Sequence, residues 1–250
     1  MLKVERVSKN FLSDRTNLPV LEDISFELDK KEIISIVGKT GCGKTTLLNI
    51  VCGLLKPDEG RVFVDGILGY VPQKDLLLPW RNILENILLP VEIKRTFDEE
   101  IISQSKNFLK QFELKEFGNS YPSEISGGMR QKVSLIRTFI QNPDIILLDE
   151  PFSAIDFNSR LQLVEQLRNY ILSSGKSAIF VTHNIEEAIS ICDRIIVLGS
   201  RPTKILYQEK INIPEENRKP ADIRKTKEFD DLFEKIWGIM SNNYETKNIL

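Results

Sequence analysis

The sequence predicts an α/β fold with helices on both faces of a parallel sheet, and three observations lead there. Residues 33–37 form a short β-branched apolar run that stops at Gly38. Residues 145–148 and 177–182 are two more apolar runs of strand length, as strands covered on both faces would be. A helical pattern from about residue 158 to 173 joins those two. Strand, helix, strand implies a parallel pair, because a helical crossover returns the chain in its original direction.

The other elements follow in order. Polar and apolar residues alternate from Leu2 to Val7 and again from Ile24 to Leu28. This is the pattern of half-buried strands, and a polar loop at residues 13–17, ahead of Pro19, suits a hairpin-like connection. Beyond the glycines after residue 37, Leu47, Ile50, Val51 and Leu54 recur at helical spacing, and Gly53 and Pro57 mark the stop. Residues 60–66 read as a further strand bounded by turns. Residues 82–116 carry mostly helical periodicity rich in Lys, Glu and Gln, so a helical insert is expected at about 75–140. After Pro122, Ser126, Gly127 and Gly128 open a helix whose apolar positions include Val133, Ile136 and Ile140, ending near Pro143. Residues 195–198 supply another strand. Near the C-terminus Phe229, Leu232, Phe233, Ile236, Trp237 and Met240 fall at the i, i+3, i+4, i+7 spacing of an amphipathic helix over 228–240. The charged link before it, 214–227, is expected to be exposed. The expected division is a domain at 1–205 and a C-terminal extension at 206–250, whose helix docks on its own domain or serves as a dimer contact or regulatory element.

Composition removes several functions. The 34 Lys+Arg and 36 Asp+Glu leave a net charge of -2, which argues against a protein whose main task is gripping nucleic-acid phosphates. With 41% hydrophobic and 28% charged residues the chain has the mix of an ordinary globular protein. No stretch approaches the roughly 20 apolar residues of a membrane-spanning helix, and no exported-signal core follows Met1. Cys42, Cys52 and Cys192 are widely spaced. They read as reduced thiols of a cytosolic chain rather than as metal ligands.

The chemistry concentrates in four segments. Gly38, Lys39, Thr40, Gly41, Cys42, Gly43, Lys44 and Thr45 match G-x-x-x-x-G-K-[ST] between a buried strand and a helix start. There the glycines let consecutive N–H groups face one anion, the helix N-terminus adds its positive end, Lys44 reaches the terminal phosphates and the Thr45 hydroxyl can ligate Mg²⁺. Lys39 adds a charge beside the loop, and a solvated side chain is the plainer account of it. Asp149 and Glu150 stand at the C-terminal end of the apolar run at 145, the edge of a parallel sheet where ligands bind. Asp149 would hold Mg²⁺ through its waters while Glu150 polarises a water for in-line attack on a γ-phosphate. His183, the sole histidine, follows the run at 177–182 at the same edge and can donate one hydrogen bond and accept another. Ser126, Gly127 and Gly128, continuing to Gln131, make a second helix start suited to an anion, with Ser126 as N-cap. Two phosphate-facing surfaces on one chain invite a second copy, each supplying what the other lacks.

On these motifs the chain resembles the ATPase subunit of an ATP-binding-cassette (ABC) transporter, over essentially residues 1–205. The resemblance implies a P-loop NTPase fold with a RecA-like parallel-sheet core, an N-terminal antiparallel β subdomain and a helical insert. It implies that Phe11 stacks on adenine, although a strand-end aromatic is core as often. It makes residues 38–46, through Thr46, the Walker A loop, Gln73 the Q-loop glutamine and a metal ligand with Thr45 and Asp149, and Ser126, Gly127, Gly128 and Gln131 a signature facing the ATP of the opposite subunit. Glu150 then ends Walker B, Asp156 closes the D-loop and His183 is the switch. Ile125, Ile155 and Asn184 depart mildly from the family's usual Leu, Leu and Asp.

Leu77, Leu78, Pro79 and Trp80 after Gln73, with Arg201 and Pro202, are similar to the nitrate, sulfonate and taurine import group, while Thr203 stands where that group usually has Gly. The implied partners are membrane-spanning permease subunits, a second copy in an ATP-dependent homodimer and, indirectly, a solute-binding protein, with no nucleic acid. The implied place is cytoplasmic, at the inner face of the membrane through the permease. A DNA-repair or chromosome-structure ATPase is the rival, but the interval from Gln73 to Ser126 carries no sustained heptads. A small P-loop kinase would leave the signature and D-loop without a role.

Overall fold

In the computed structural model, which describes residues 1–13, 16–96, 98–153, 155–214, 218 and 222–245, the chain builds two sheets. Strands β1 (Leu2–Ser13), β2 (Thr16–Leu28) and β4 (Glu59–Val64) form an antiparallel sheet in the order β2-β1-β4. The hairpin runs further than its side-chain alternation signals. Residues 9–13 pair with 16–21, so residues 13, 16 and 17 of the polar loop expected at 13–17 belong to the strands; residues 14 and 15 lie outside the described residues. Main-chain pairing continues there without a core to cover, and Leu12 is exposed.

The second sheet has the order β5-β6-β7-β3-β8-β9, from β3 (Ile33–Val37), β5 (Leu68–Val71), β6 (Ile145–Asp149), β7 (Ser177–Thr182), β8 (Arg194–Leu198) and β9 (Ile205–Lys210). Neighbours from β5 to β8 are parallel, and β9 closes the edge antiparallel to β8. The sheet therefore extends a few residues past the division expected at 205. Its central strands are buried along their whole length because alternate residues feed two different cores. Ile33, Val37, Ile146, Leu148, Ala178 and Phe180 point to one, while Ile34, Ile36, Ile145, Leu147, Ile179 and Val181 point to the other.

The second of these cores lies under the antiparallel sheet and α1 (Lys44–Val51), which contributes Leu47, Leu48, Ile50 and Val51. The first is covered by α2 (Ile83–Lys94), α4 (Gly127–Phe139), α5 (Phe157–Ser174) and α6 (Ile185–Ile191), with α3 (Glu99–Gln111) outside α2 and α4. The starts of α2, α4, α5 and α6 are fixed by side-chain caps. Asn82 and Glu85 close a capping box on α2, and Ser126, Asp156 and Asn184 cap α4, α5 and α6.

Helix α7 (Lys227–Glu245) lies against α6 and β8, so the amphipathic pattern is docked on the chain's own domain. Phe229 and Ile236 are buried in the core, worth roughly 1.5–3 kcal/mol each. The link before it is not wholly exposed. Residues 215–217 and 219–221 lie outside the described residues, but Arg218 is 7% exposed. Its guanidinium donates to the carbonyls of Ile211, Cys192 and Ile213 at 2.7, 2.9 and 2.9 Å and pairs with Asp193 at 3.0 Å. A buried guanidinium is tolerated where its donors are this fully used.

Candidate active site

Parallel register sets the site. Val37 pairs with Thr182, Asp149 with Val181 and Val71 with Leu148, so Gly38, Gln73, Glu150 and His183 leave four adjacent strands at one edge. The loop after β3 turns through Gly41 (φ 79°) and Gly43 (φ 120°). At φ 120° Gly43 takes a conformation that residues with a side chain rarely adopt, and a Cβ there would also stand 3.0 Å from the Leu21 and Val20 side chains of β2. Phe11 sits further along the same hairpin opposite Leu18, 37% exposed, with the Lys9 ammonium 5.7 Å from its ring.

Lys44 is the first residue of α1 and is buried. Its ammonium donates to the carbonyls of Gly38 (2.9 Å) and Lys39 (3.0 Å) and lies 3.4 Å from a Glu150 oxygen. The other Glu150 oxygen meets Nδ1 of His183 at 3.1 Å and accepts from the Gln73 amide at 3.3 Å. One carboxylate thus collects three of the sequence-derived residues. Asp149 is buried beside it, with one oxygen 3.4 Å from the Tyr70 hydroxyl and the other without a hydrogen-bond partner. Burial pushes its carboxyl up, the Thr45 hydroxyl opposes that rise and the Glu150 charge adds to it. Thr40, Gly41 and Thr45 face solvent and Thr46 is half-buried, so the loop presents an open rim. The Cys42 thiol is buried under it.

Ser126, Gly127 and Gly128 stand at the start of α4, apart from this cluster. Ser126 is exposed and accepts from the Met129 N–H at 3.2 Å. Gln131 departs from the expectation. Its side chain is 2% exposed, turned into its own subunit, with an amide nitrogen lacking a partner. One and a half turns into the helix it falls on the core face, so it is not part of the exposed anion surface. Asp156 caps α5 through the Ser159 N–H at 3.1 Å. Residue 154, within the D-loop pattern, lies outside the described residues.

Several supporting residues escaped the sequence reading. Tyr70 braces Asp149 and opens the run Tyr70, Val71, Pro72, Gln73, yet its part in the site is not signalled by that run. Arg130 joins the α4 start to the segment after Gln73, pairing with Asp75 at 3.0 Å and donating to the Ile125 carbonyl at 2.9 Å. Asn86, fully buried, donates to the carbonyls of Leu78, Arg81 and Asn82 and accepts from Leu78 N–H at 2.7 Å. Trp80 is thereby displayed 71% exposed on a fixed loop. No spacing rule announces these contacts.

A glycine loop feeding a helix, an acidic strand end and a polar switch residue at one edge of a parallel sheet define a P-loop nucleotide hydrolase. The chain belongs to the ABC transporter family, whose profile matches residues 21–153, and it is an ATP-binding, ATP-hydrolysing subunit of that family. It is 36% identical over 229 residues to the aliphatic sulfonates import ATP-binding protein SsuB of Bacillus cereus, covering 88% of this chain and 90% of that one. To the taurine import ATP-binding protein TauB of Rhizobium johnstonii it is 33% identical, covering 99% of each. Its fold matches the dimeric post-hydrolysis state of the ATP-binding cassette MJ0796 bound to ADP and Pi, with a TM-score of 0.78 and 31% identity over 86% of this chain and all of that one. These relatives favour transport over the repair or chromosome-structure rival, and α2 and α3, at 12 and 13 residues, are no coiled-coil arms.

Proposed function

We propose that this chain energises import of a small organic sulfonate or similar anion, two copies closing head to tail on two ATP molecules. The observation that carries the ATP hydrolysis is the Glu150 carboxylate held among Lys44, His183 and Gln73 at the strand edge, and the sulfonate and taurine import relatives support the cargo. Residues 38–46 cradle the phosphates, with Lys44 released from the Gly38 and Lys39 carbonyls onto the β- and γ-phosphates. Phe11 stacks on the base. Glu150 accepts a proton from a water lined up on the γ-phosphorus, and His183 donates to the γ-phosphate. Gln73 senses the nucleotide and passes closure to the loop bearing Trp80. Ser126, Gly127 and Gly128 face the nucleotide of the second copy, and Asp156 lies at the seam. Gln131, being buried, has no such role.

Thr45, Asp149 and Gln73 fit a Mg²⁺ ion. The unpartnered buried oxygen of Asp149 and the Thr45 hydroxyl are hard oxygen donors, and Mg²⁺ at a triphosphate needs only one or two protein oxygens beside phosphate and water. When bound, the ion would neutralise charge on the β- and γ-oxygens. Among the described residues no helix is long and apolar enough to cross a membrane. The import relatives support a place at the cytoplasmic face of the membrane, through permease subunits that meet the helical insert at 75–140 and receive solute from a binding protein.

Phosphate release from MgATP by the purified chain, lost in Glu150→Gln, tests the reaction. Growth on taurine or an alkanesulfonate as sole sulfur source after deletion of the gene tests the cargo, and undiminished growth on both contradicts it.

A further inference from the structure

Arg160 and Glu187 hold places beside the reacting edge that the reaction above does not use. Glu187, on α6, has a side chain 10% exposed and accepts a 2.8 Å hydrogen bond from the Thr182 hydroxyl. That hydroxyl in turn accepts from the Asn184 N–H at 3.0 Å, and the Asn184 side chain accepts from the N–H groups of Glu186 and Glu187 at 2.9 and 3.2 Å. The residues before and after His183 are thus both fastened to the first turn of α6. His183 is the apex, its own side chain 55% exposed, so little packing fixes it. On its far side Glu187 meets Arg160 of α5 at 3.4 Å, and Arg160 donates to the Ile155 carbonyl at 2.8 Å. Ile155 adjoins Asp156, the cap of α5.

We propose that the Arg160–Glu187 pair is a strut holding the His183 loop against the segment at 155–156, and that Glu187 is a positioning residue for hydrolysis. It touches neither nucleotide nor water and acts through His183, an inference that rests on the role given to His183 above. The segment at 155–156 lies where the second copy is expected to approach. Three contacts, Ile155 to Arg160, Arg160 to Glu187 and Glu187 to Thr182, carry its displacement to the residue before the histidine.

The test is steady-state ATP hydrolysis by the full chain, with thermal unfolding followed in parallel, in Glu187→Ala, Glu187→Gln, Thr182→Val, His183→Ala and the His183→Ala/Glu187→Ala double variant. Removing one member of a half-buried ion pair can itself unfold a protein. Thr182→Val therefore cuts the same fastening with the pair left intact. Misplacing a reacting group by about 1 Å costs on the order of a hundredfold. A kcat loss of about tenfold or more is thus expected in Glu187→Ala and Thr182→Val, with KM for ATP within about twofold of wild type. Glu187→Gln has a single acceptor oxygen where Thr182 and Arg160 each use a separate one, so it keeps one of the two contacts and recovers part of the rate lost in Glu187→Ala. The double variant is no slower than His183→Ala. Wild-type kcat in both Glu187→Ala and Thr182→Val, multiplying losses in the double variant, or KM rising in step with the rate loss would each overturn the strut. A slow His183→Ala beside a normal Glu187→Ala sinks the strut alone, whereas a His183→Ala chain of full kcat removes the reading of His183 and the strut with it.

Discussion

Nδ1 of His183 lies 3.1 Å from a carboxylate oxygen of Glu150, although the two residues leave different strands. The pairing of Asp149 with Val181 puts them side by side, and the Glu150 N–H donates to the Val181 carbonyl at 2.9 Å. Glu150 is held at φ 46°, a left-handed conformation that costs a non-glycine residue about 1–2 kcal/mol. The ladder supports that strain, and its result is a carboxylate aimed along the edge toward Lys44, Gln73 and His183 rather than continuing the strand.

Lys44→Ala weakens ATP binding. Its ammonium rests on two carbonyl oxygens that nucleotide phosphates outcompete, and hydrogen bonds to charged groups are worth about 1.5–3 kcal/mol. Calorimetric titration is expected to give a Kd roughly tenfold to a hundredfold weaker. Unchanged affinity would take Lys44 out of the site.

Gly60→Ala lowers stability without touching nucleotide binding. Gly60 has φ +78°, and a Cβ there would stand 2.3 Å from the carbonyl oxygens of Arg6 and Glu5 on β1. Left-handed strain alone costs about 1–3 kcal/mol, and the backbone clash adds a comparable amount. Urea unfolding shows the loss, while ATP affinity of the folded chain stays at the wild-type value. A wild-type midpoint would mean that β1 and β4 are not packed as described.

Much of the site was legible because its residues are local signals at the ends of apolar runs. The loop at 38–46, the acidic pair at 149–150 and His183 each follow a strand whose composition announces burial on both faces. Strand β5 was not legible. Its four residues, interrupted by Gly69, make sense only when paired in register with β6, where Gly69 opposes Ile146. A Cβ at Gly69 would meet Thr138 at 2.7 Å and Pro143 at 2.8 Å. Gln131 and Arg218 failed the opposite way. Each is polar and reads as surface, and each is buried by contacts that no short window of sequence contains.

The Cys192 thiol gives a pH signature. Complete burial pushes it up to about 11, above the ordinary thiol value near 8.5. The native state therefore holds the proton more tightly than the unfolded chain, so this contribution is present below about pH 8.5 and is lost as pH rises toward 11. With about 1.4 kcal/mol per unit the loss across that interval is on the order of 3–4 kcal/mol. Urea unfolding across that range is expected to show the decline in wild type and a shallower one in Cys192→Ala. Equal slopes would contradict the burial. In the native chain thiol reagents reach half-buried Cys52 before Cys42 or Cys192.

The central claim is that ATP is enclosed between two copies of the chain and that Glu150 drives its cleavage. Light scattering on Glu150→Gln with MgATP, alone and with its permease, measures this most directly. The predicted result is a particle carrying two 28.7 kDa chains that persists while ATP is bound and is absent without it. A variant that binds ATP to saturation yet never pairs, or that releases phosphate at the wild-type rate, contradicts the account.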